Sequence, residues 1–504
     1  MGAAKERPSP EEIERLRAER AAKKERVAAE KEAQANAPLA QADSSLYVPR
    51  EWARVRAEAS SSASSSGSGV RVGSWNLLAQ GLVRRKLFPG SDCLKWKDRE
   101  AGLRAELVGH AFDIACFQEV DRLDSHGPNL EKAGFKFVYE KGYAAKQHGL
   151  LIGWRTKPRS AASPYFAQEP LAQKLIFFDD LSPRTLAPVK EAERSGCSRV
   201  TRNVALLVAL PFAGRPGGLV VGTTHLFWHP QHAYERVRQA GLLMRAADAF
   251  RAERSETAGW DVVVAGDFND QPHSATYQLL RDGTLDAHAR EEILRSSVMH
   301  RSIDEARARA QAGIEGEDDV EEEGDDEPEE NGAAAGQAEE KKPAAPEADS
   351  DHMLKTCRAA SADDGLLSID ELVQLHKLDI GKAVSAYGSY YSHLEGESEE
   401  GNYFGSSARG RERFDDESYI EGQANVHSGP STEPMWTLYS SIFSLTLDYI
   451  WLLPRRHTAS DSYPPVTALL RTHKTETLQP GVPRKGVCAS DHVAIGAEIV
   501  PHSE

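Results

Sequence analysis

Cysteine is scarce in this chain. Cys93, Cys116, Cys197, Cys357 and Cys488 are scattered, odd in number and never spaced as C-x-x-C. That excludes a disulfide framework and a cysteine zinc site, and it fits reduced thiols in an intracellular protein. No run of 18 apolar residues exists, so no membrane-spanning helix is expected, and the N-terminus has no apolar segment of the kind a secretory signal needs. Its Glu-rich start argues against a transit peptide, and Glu6 stands where N-myristoylation prefers Ser or Thr. The expected compartment is therefore cytoplasm, nucleus or both, with no membrane partner. Internal repeats are also missing, the leucine-rich type included.

A positive surplus is lacking too. The net charge of −16 argues at first against a nucleic-acid partner. Residues 315–330, however, hold twelve acids and no base, which leaves 65 acids against 61 bases elsewhere, a net of −4. The acidity is one tract, and the near-neutral remainder leaves room for a basic groove. Composition divides the 504 residues accordingly. Residues 1–69 read as an extension: a solvated Ala/Glu/Arg/Lys helix over 11–35, then a Ser-rich linker at Ser60–Ser68. Residues 70–500 read as one folded domain, interrupted at about 301–351 by a disordered insertion rich in Glu, Asp, Ala, Gly and Pro. The insertion reads as a solvated spacer or as a site for a basic partner.

Within the domain, short apolar runs alternate with helical patterns. Val70–Trp75, Asp113–Phe117, Gly149–Trp154, Val204–Leu210, Leu219–Thr224, Asp261–Ala265, Leu447–Leu453 and 491–499 read as strands. Lys95–Ala111, Tyr234–Glu253 and Ala275–Asp282 read as helices. Gly266 reads as the bend that stops its strand. Polar residues gather at the strand ends: Asn76, Glu119, His225, Asp267 with Asn269, and Asp491-His492, while Asp448 falls inside its strand. Taken singly, each is also what a turn or a satisfied buried group would supply. As a set they suit a hard divalent cation, which wants carboxylate oxygens, beside imidazole and amide groups for a phosphate. The segment Asp364–Leu372 looks like half an EF-hand loop, but Ala360 and Ala362 stand where oxygen ligands belong. A helix start capped by Ser368 with Glu371 fits better. Trp228, His229, His232, Tyr387, Tyr390 and Tyr391 could stack on bases or simply pack.

Six blocks in order carry a resemblance: Trp75–Gln80, Gln118–Asp121, Thr224–Leu226, Gly266–Asn269, Leu447–Ile450 and Ser490–His492. They resemble the endonuclease/exonuclease/phosphatase superfamily, and within it the deadenylase-type RNA exonucleases. Leu82–Pro89, Leu94–Trp96, Ser385–Gly388 and Glu433–Thr437 look most like the fungal Ngl group. The match covers about 70–300 and 350–500. The resemblance implies an α/β fold, a four-layer, DNase-I-like sandwich of two mixed β-sheets flanked by helices. It also implies a Mg²⁺ site, with Mn²⁺ able to substitute, made by Glu119 with Asn76 and Asp491 close by. Asp267 would align or deprotonate the attacking water. Asn269 and His225 would hold phosphate oxygens, and His492, oriented by Asp448, would stabilise the transition state or act as base. The expected activity is Mg²⁺-dependent 3′-exoribonuclease hydrolysis at an RNA 3′ end. The alternatives are a phosphatase of the same fold acting on a small metabolite or dinucleotide, and a non-catalytic interaction protein on the same scaffold.

Overall fold

The structure is a computed structural model that describes residues 43–56, 69–161, 163–184, 195–312, 356–390, 394, 433–456 and 463–502. The predicted helix at 11–35, the Ser60–Ser68 linker, the acidic tract and Tyr391 lie outside the described residues.

Two sheets form the centre. The first has seven strands: β1 (Trp52–Arg54), β2 (Val70–Asn76), β3 (Ile114–Val120), β4 (Phe135–Glu140), β5 (Gly149–Arg155), β16 (Val466–Leu470) and β17 (Ile495–Ile499), in spatial order β1-β16-β17-β2-β3-β5-β4. The second has six: β6 (Ala172–Phe177), β7 (Val204–Pro211), β8 (Gly218–His225), β9 (Asp261–Asp267), β12 (Val384–Ser385) and β15 (Asp448–Leu453), in order β12-β15-β9-β8-β7-β6. Short pairs β10/β11 (Val298–His300, Cys357–Ala359) and β13/β14 (Leu438–Tyr439, Ser444–Leu445) stand apart. Each main sheet holds one parallel pair, β2/β3 and β8/β9, and is otherwise antiparallel.

Why the strands read as apolar runs is now plain: both faces are covered. Along β9, Val263 and Ala265 point into the core between the sheets, while Val262 and Val264 point outward under a helix. The intersheet core packs Val72, Ile114 and Ile152 against Leu206, Val221 and Ile450. Each such side chain contributes roughly 1.5–3 kcal/mol when fully buried. Outside the six-stranded sheet lies helix Ala233–Ala252, with Val237, Leu243 and Ala247 on the strands. Outside the seven-stranded sheet, Leu103 and Leu107 of helix Trp96–His110 meet Trp75, Phe117 and Leu151. The four layers are thus helices, sheet, sheet and helices.

Several expectations need correction. Helix Ala233–Ala252 begins and ends one residue before the expected bounds and is buried on nearly every side, with helix Ile369–His376 packed on it; its Arg236, Arg238 and Arg251 are buried in ion pairs with Asp270, Glu235 and Asp248. Strand β9 does not stop at Gly266 but runs through it to Asp267. Glycine stands there because an added Cβ would lie 2.3 Å from the Thr224 carbonyl oxygen of the parallel neighbour. Asp448 is the first residue of β15, and the last strand begins only at Ile495, leaving 491–494 as loop. The fold starts before residue 70: Tyr47 is buried and β1 pairs with β16. At the insertion, Arg301–Ala312 is helix, and β10 pairs with β11 across the gap. Ser368 and Glu371 form the expected capping box. No described helix is long and apolar enough to cross a membrane.

Candidate active site

Topology delivers the polar residues. Parallel strands β8 and β9 end together, with His225 paired to Asp267, and antiparallel β15 begins there, with Asp448 opposite Asp267. Three adjacent strands therefore present imidazole, carboxylate and carboxylate in one row. In the facing sheet, parallel strands β2 and β3 end at the same edge, bringing Asn76 and Glu119. Glu119 reaches inward because β3 bulges between Phe117 and Val120, with Glu119 at φ +56°. A bulge re-aims one side chain at a local backbone cost of about 1–3 kcal/mol.

Asn76 joins the two sheets. Its Nδ2 donates to Glu119 Oε1 at 2.8 Å and to Asp267 Oδ2 at 3.0 Å, and its Oδ1 accepts from the Leu78 amide. Expected beside a metal, it is engaged as the donor that keeps two carboxylates together. The second Glu119 oxygen accepts from the Ala79 amide at 2.8 Å. His225 Nε2 lies 3.9 Å from Glu119 Oε1 and 3.7 Å from Asp267 Oδ2. His492 Nδ1 is 2.8 Å from Asp448 Oδ2, and its Nε2 is 3.6 Å from Asp267 Oδ2. Asn269, in the left-handed region at φ +49°, donates Nδ2 to Leu226 O, while its amide caps Asp267 Oδ1. Asp491 is buried next to His492, and Ser490 ties this loop to the Asn76 carbonyl at 2.8 Å.

Burial and charge set the protonation states. Burial raises the Glu119 carboxyl, but His225, His148 and the bonds from Asn76 and Ala79 outweigh it and hold the group below the usual range. Asp267 is pushed up by burial and by Asp448, against the pull of His492 and His225. Asp491 is pushed up by burial. Burial would lower His492, yet Asp448 and Asp267 raise it well above the ordinary imidazole value. His225 goes down, burial exceeding the pull of Asp267 and Glu119. An ionised carboxylate thus faces a protonated imidazole across the cluster.

The donor set fits a hard divalent cation. It consists of carboxylate oxygens from Glu119, Asp267, Asp448 and Asp491, and Asp448 Oδ1 is buried without a hydrogen-bond partner. The nearby Cys488 thiol is spent on the His492 carbonyl. Asp267, Asp448 and His492 place ligand-type atoms within 4.8 Å of one another.

Four further residues shape the site. His148, at the head of β5, has its ring 6.1 Å from that of His225. Gln118 donates to Thr223 across the sheets, at 2.9 Å. Thr437 Oγ1 accepts from the Leu447 and Asp448 amides. Arg99 grips the loop carbonyls of Leu77, Leu78 and Ala489. His148 obeys the strand-end pattern, and Arg99 falls on the apolar stripe of its helix with Trp96 and Leu103, which is a readable signal. Of the aromatics, Tyr387 is buried, with its hydroxyl on the Leu470 and Gly496 carbonyls, and His232 is buried; Trp228 is exposed beside the site strand.

Comparison with known proteins agrees. Residues 73–492 match the endonuclease/exonuclease/phosphatase family. The chain is 27% identical over 344 residues to the probable RNA exonuclease NGL3 of Saccharomyces cerevisiae, covering 66% of this chain and 60% of that protein. It is 30% identical over 289 residues to the probable RNA exonuclease C9B6.11c of Schizosaccharomyces pombe (55% and 52%). To RNA exonuclease NGL2 of Saccharomyces cerevisiae it is 33% identical over 235 residues (42% and 42%). It thus spans 42 to 60% of the length of these relatives. Among solved structures, ANGEL2, a 2′,3′-cyclic phosphatase in complex with adenosine-2′,3′-vanadate, matches with a TM-score of 0.50 at 16% identity, over 90% of this chain and 98% of that one. At that identity the likeness is one of fold. Matched over most of its length and built on this fold, the chain belongs to the endonuclease/exonuclease/phosphatase family.

Proposed function

We propose that this protein is a Mg²⁺-dependent hydrolase of RNA phosphodiesters that acts from the 3′ end and releases nucleoside 5′-monophosphates. The reading rests above all on one observation: Asn76, Glu119, His225, Asp267, Asp448 and His492 meet where strands of both sheets end. Two of the three relatives named above are described as probable RNA exonucleases and the third as an RNA exonuclease, which supports the substrate class.

Glu119 and Asp491 would hold a divalent cation, Mg²⁺ or in its place Mn²⁺, which would supply Lewis-acid polarisation of the phosphoryl group. The rest falls to this chain's own groups. Asp267, raised by burial, takes the proton of the attacking water. His492, held protonated by Asp448 and Asp267, donates to a phosphate oxygen as charge develops. Asn269 has one N–H on Leu226 O and offers the other to a second oxygen, with His225 beside it. Water bonds to phosphorus, and the bond to the preceding nucleotide's O3′ breaks.

The test uses 5′-labelled RNAs with free and with blocked 3′ ends, in Mg²⁺ and in chelator. One-nucleotide shortening of the free-ended RNA, only with Mg²⁺, is expected. Equal cleavage of the blocked RNA, or turnover of small phosphate esters alone, refutes the exonuclease reading.

A further inference from the structure

We propose that helix Trp96–His110 positions the 488–492 loop through one residue, Ala489, with Arg99 and Glu106 as positioning residues. Arg99, Gly102 and Glu106 recur at i, i+3 and i+7, which places them on one helix face over about two turns. That face is not apolar, yet it is buried: Arg99 is 0% and Glu106 1% exposed.

Each of the three meets the same loop residue. Glu106 Oε1 accepts from the Ala489 amide at 2.9 Å. Arg99 Nε donates to the Ala489 carbonyl at 2.8 Å. Between them, an ideal Cβ on Gly102 would lie 2.8 Å from Ala489 Cβ, so the loop rests on the helix backbone. Ala489 is thereby held at its N–H, its carbonyl and its side chain. Its neighbour Ser490 bonds the Asn76 carbonyl and His492 bonds Asp448, with Asp491 between them.

Arg99 does a second job. Its Nη2 donates to the carbonyls of Leu77 and Leu78, the backbone just after Asn76, and its Nη1 to the Gln80 side-chain oxygen. One guanidinium therefore fixes the spacing between the strand-end loops that carry Asn76 and Asp491. A planar fork with five donors can do this, whereas a lysine ammonium cannot. Two buried charges on a helix are costly to place for packing alone. An accepting side chain on the N–H and a donating one on the carbonyl of a single loop residue give them a positional use.

The inference rests on the proposed hydrolase reading, and the test separates the two. Turnover of free-ended RNA is measured for wild type, Glu106→Ala, Glu106→Gln, Arg99→Lys and Gly102→Ala, with hydrogen exchange of the 488–494 amides read in parallel. Displacement of a reacting group by about 1 Å can cost about 10²-fold in rate. Glu106→Ala and Arg99→Lys are expected to lose about that factor in kcat, with KM changed by less than about threefold because substrate contacts stay in place. Glu106→Gln keeps an oxygen for the Ala489 amide and restores most of kcat. Gly102→Ala favours the helix intrinsically but pushes on Ala489, so kcat falls while the helix persists; a purely structural role gives no such loss. In the slowed variants, exchange at 488–494 quickens while the β8 and β9 amides stay protected. The proposal is overturned by unchanged kcat and unchanged loop exchange in Glu106→Ala and Arg99→Lys, or by uniform exchange over the whole fold with no rescue by glutamine. Should wild type hydrolyse no RNA, the hydrolase reading fails, and the local exchange pattern alone decides the clamp.

Discussion

Asn76→Asp keeps the shape of the side chain and exchanges its donor for an acceptor. In the wild type the amide donates at 2.8 Å to Glu119 and at 3.0 Å to Asp267. Hydrogen bonds to charged partners contribute roughly 1.5–3 kcal/mol each, so losing both should cost about 3–6 kcal/mol. Coulomb repulsion among three neighbouring carboxylates adds to this until the cluster binds a proton, which caps the loss. A divalent cation offsets part of the loss, because the variant has one more anionic ligand. Binding to the folded state alone stabilises by about 2.7 kcal/mol at a hundredfold excess over Kd. The assay is urea denaturation at neutral pH, first in chelator and then in Mg²⁺. In chelator the variant should unfold at clearly lower urea with an unchanged slope; in Mg²⁺ the gap should narrow. Asn76→Ala should show the deficit without the extra recovery. If Asn76→Asp in chelator stays within about 1 kcal/mol of wild type, a difference near the size of one ordinary hydrogen bond, Asn76 is not what holds the two carboxylates together, and the account of the site is wrong at its centre.

Other outcomes are open to direct measurement. Glu119→Ala should abolish Mg²⁺-dependent turnover with the circular dichroism spectrum unchanged; full activity would refute its role. Asn269→Ala and His225→Ala should each lower kcat by about 10²–10³, as loss of a preorganised donor does elsewhere. Leu207→Ala, fully buried under helix Ala233–Ala252, should destabilise by about 2–5 kcal/mol with little effect on kcat at low temperature. The bond from Arg358 is the largest influence holding Asp364 well below the usual carboxylate range. A depressed folded-state pKa stabilises above the unfolded value near 3.9 and loses that contribution as pH falls through the folded one. Asp364→Asn should therefore be less stable than wild type at neutral pH, and the two unfolding curves should converge in acid.

Much of the core was legible because it follows period and composition. Apolar runs such as Val262–Ala265 announced strands covered on both faces, and the carboxylates and imidazoles at their ends announced the site. What stayed hidden has physical reasons. The Glu119 bulge is a backbone choice that costs energy locally and is recovered through Asn76 and Ala79, far away in sequence. Tyr47 and Trp52 lie beside charged and Ser-rich sequence that masks a strand of three residues. Helix Arg301–Ala312 is too polar to separate by composition from the acidic tract that follows; its buried Ile303 and ion pairs of Asp304 with Arg358 and of Arg307 with Asp364, all distant in sequence, tie it down. In helix Ala233–Ala252, Arg238 and Arg251 pair with Glu235 and Asp248 three residues back, a spacing the sequence shows, but Asp270, the partner of Arg236, and the cover from helix Ile369–His376 come from parts of the chain that no helical pattern reveals.

One feature of the topology accounts for the convergence of distant residues. A parallel pair must bring the ends of both its strands to one edge, with the crossover helix on an outer face. This fold has such a pair at the heart of each sheet, and β2 and β3 pack face to face with β8 and β9. Asn76, Glu119, His225 and Asp267 therefore arrive together, whatever chain length separates them. The antiparallel neighbours β15 and β17 run the other way, so it is their beginnings, at Asp448 and just before Ile495, that reach the same edge. The loop that leads into β17 carries Asp491 and His492 outside both main sheets, where a short antiparallel bridge between His492 and Leu438 pairs its backbone. A residue at a strand end is placed by its ladder, but a residue beside so short a bridge needs further anchors, and helix Trp96–His110 adds them through Ala489.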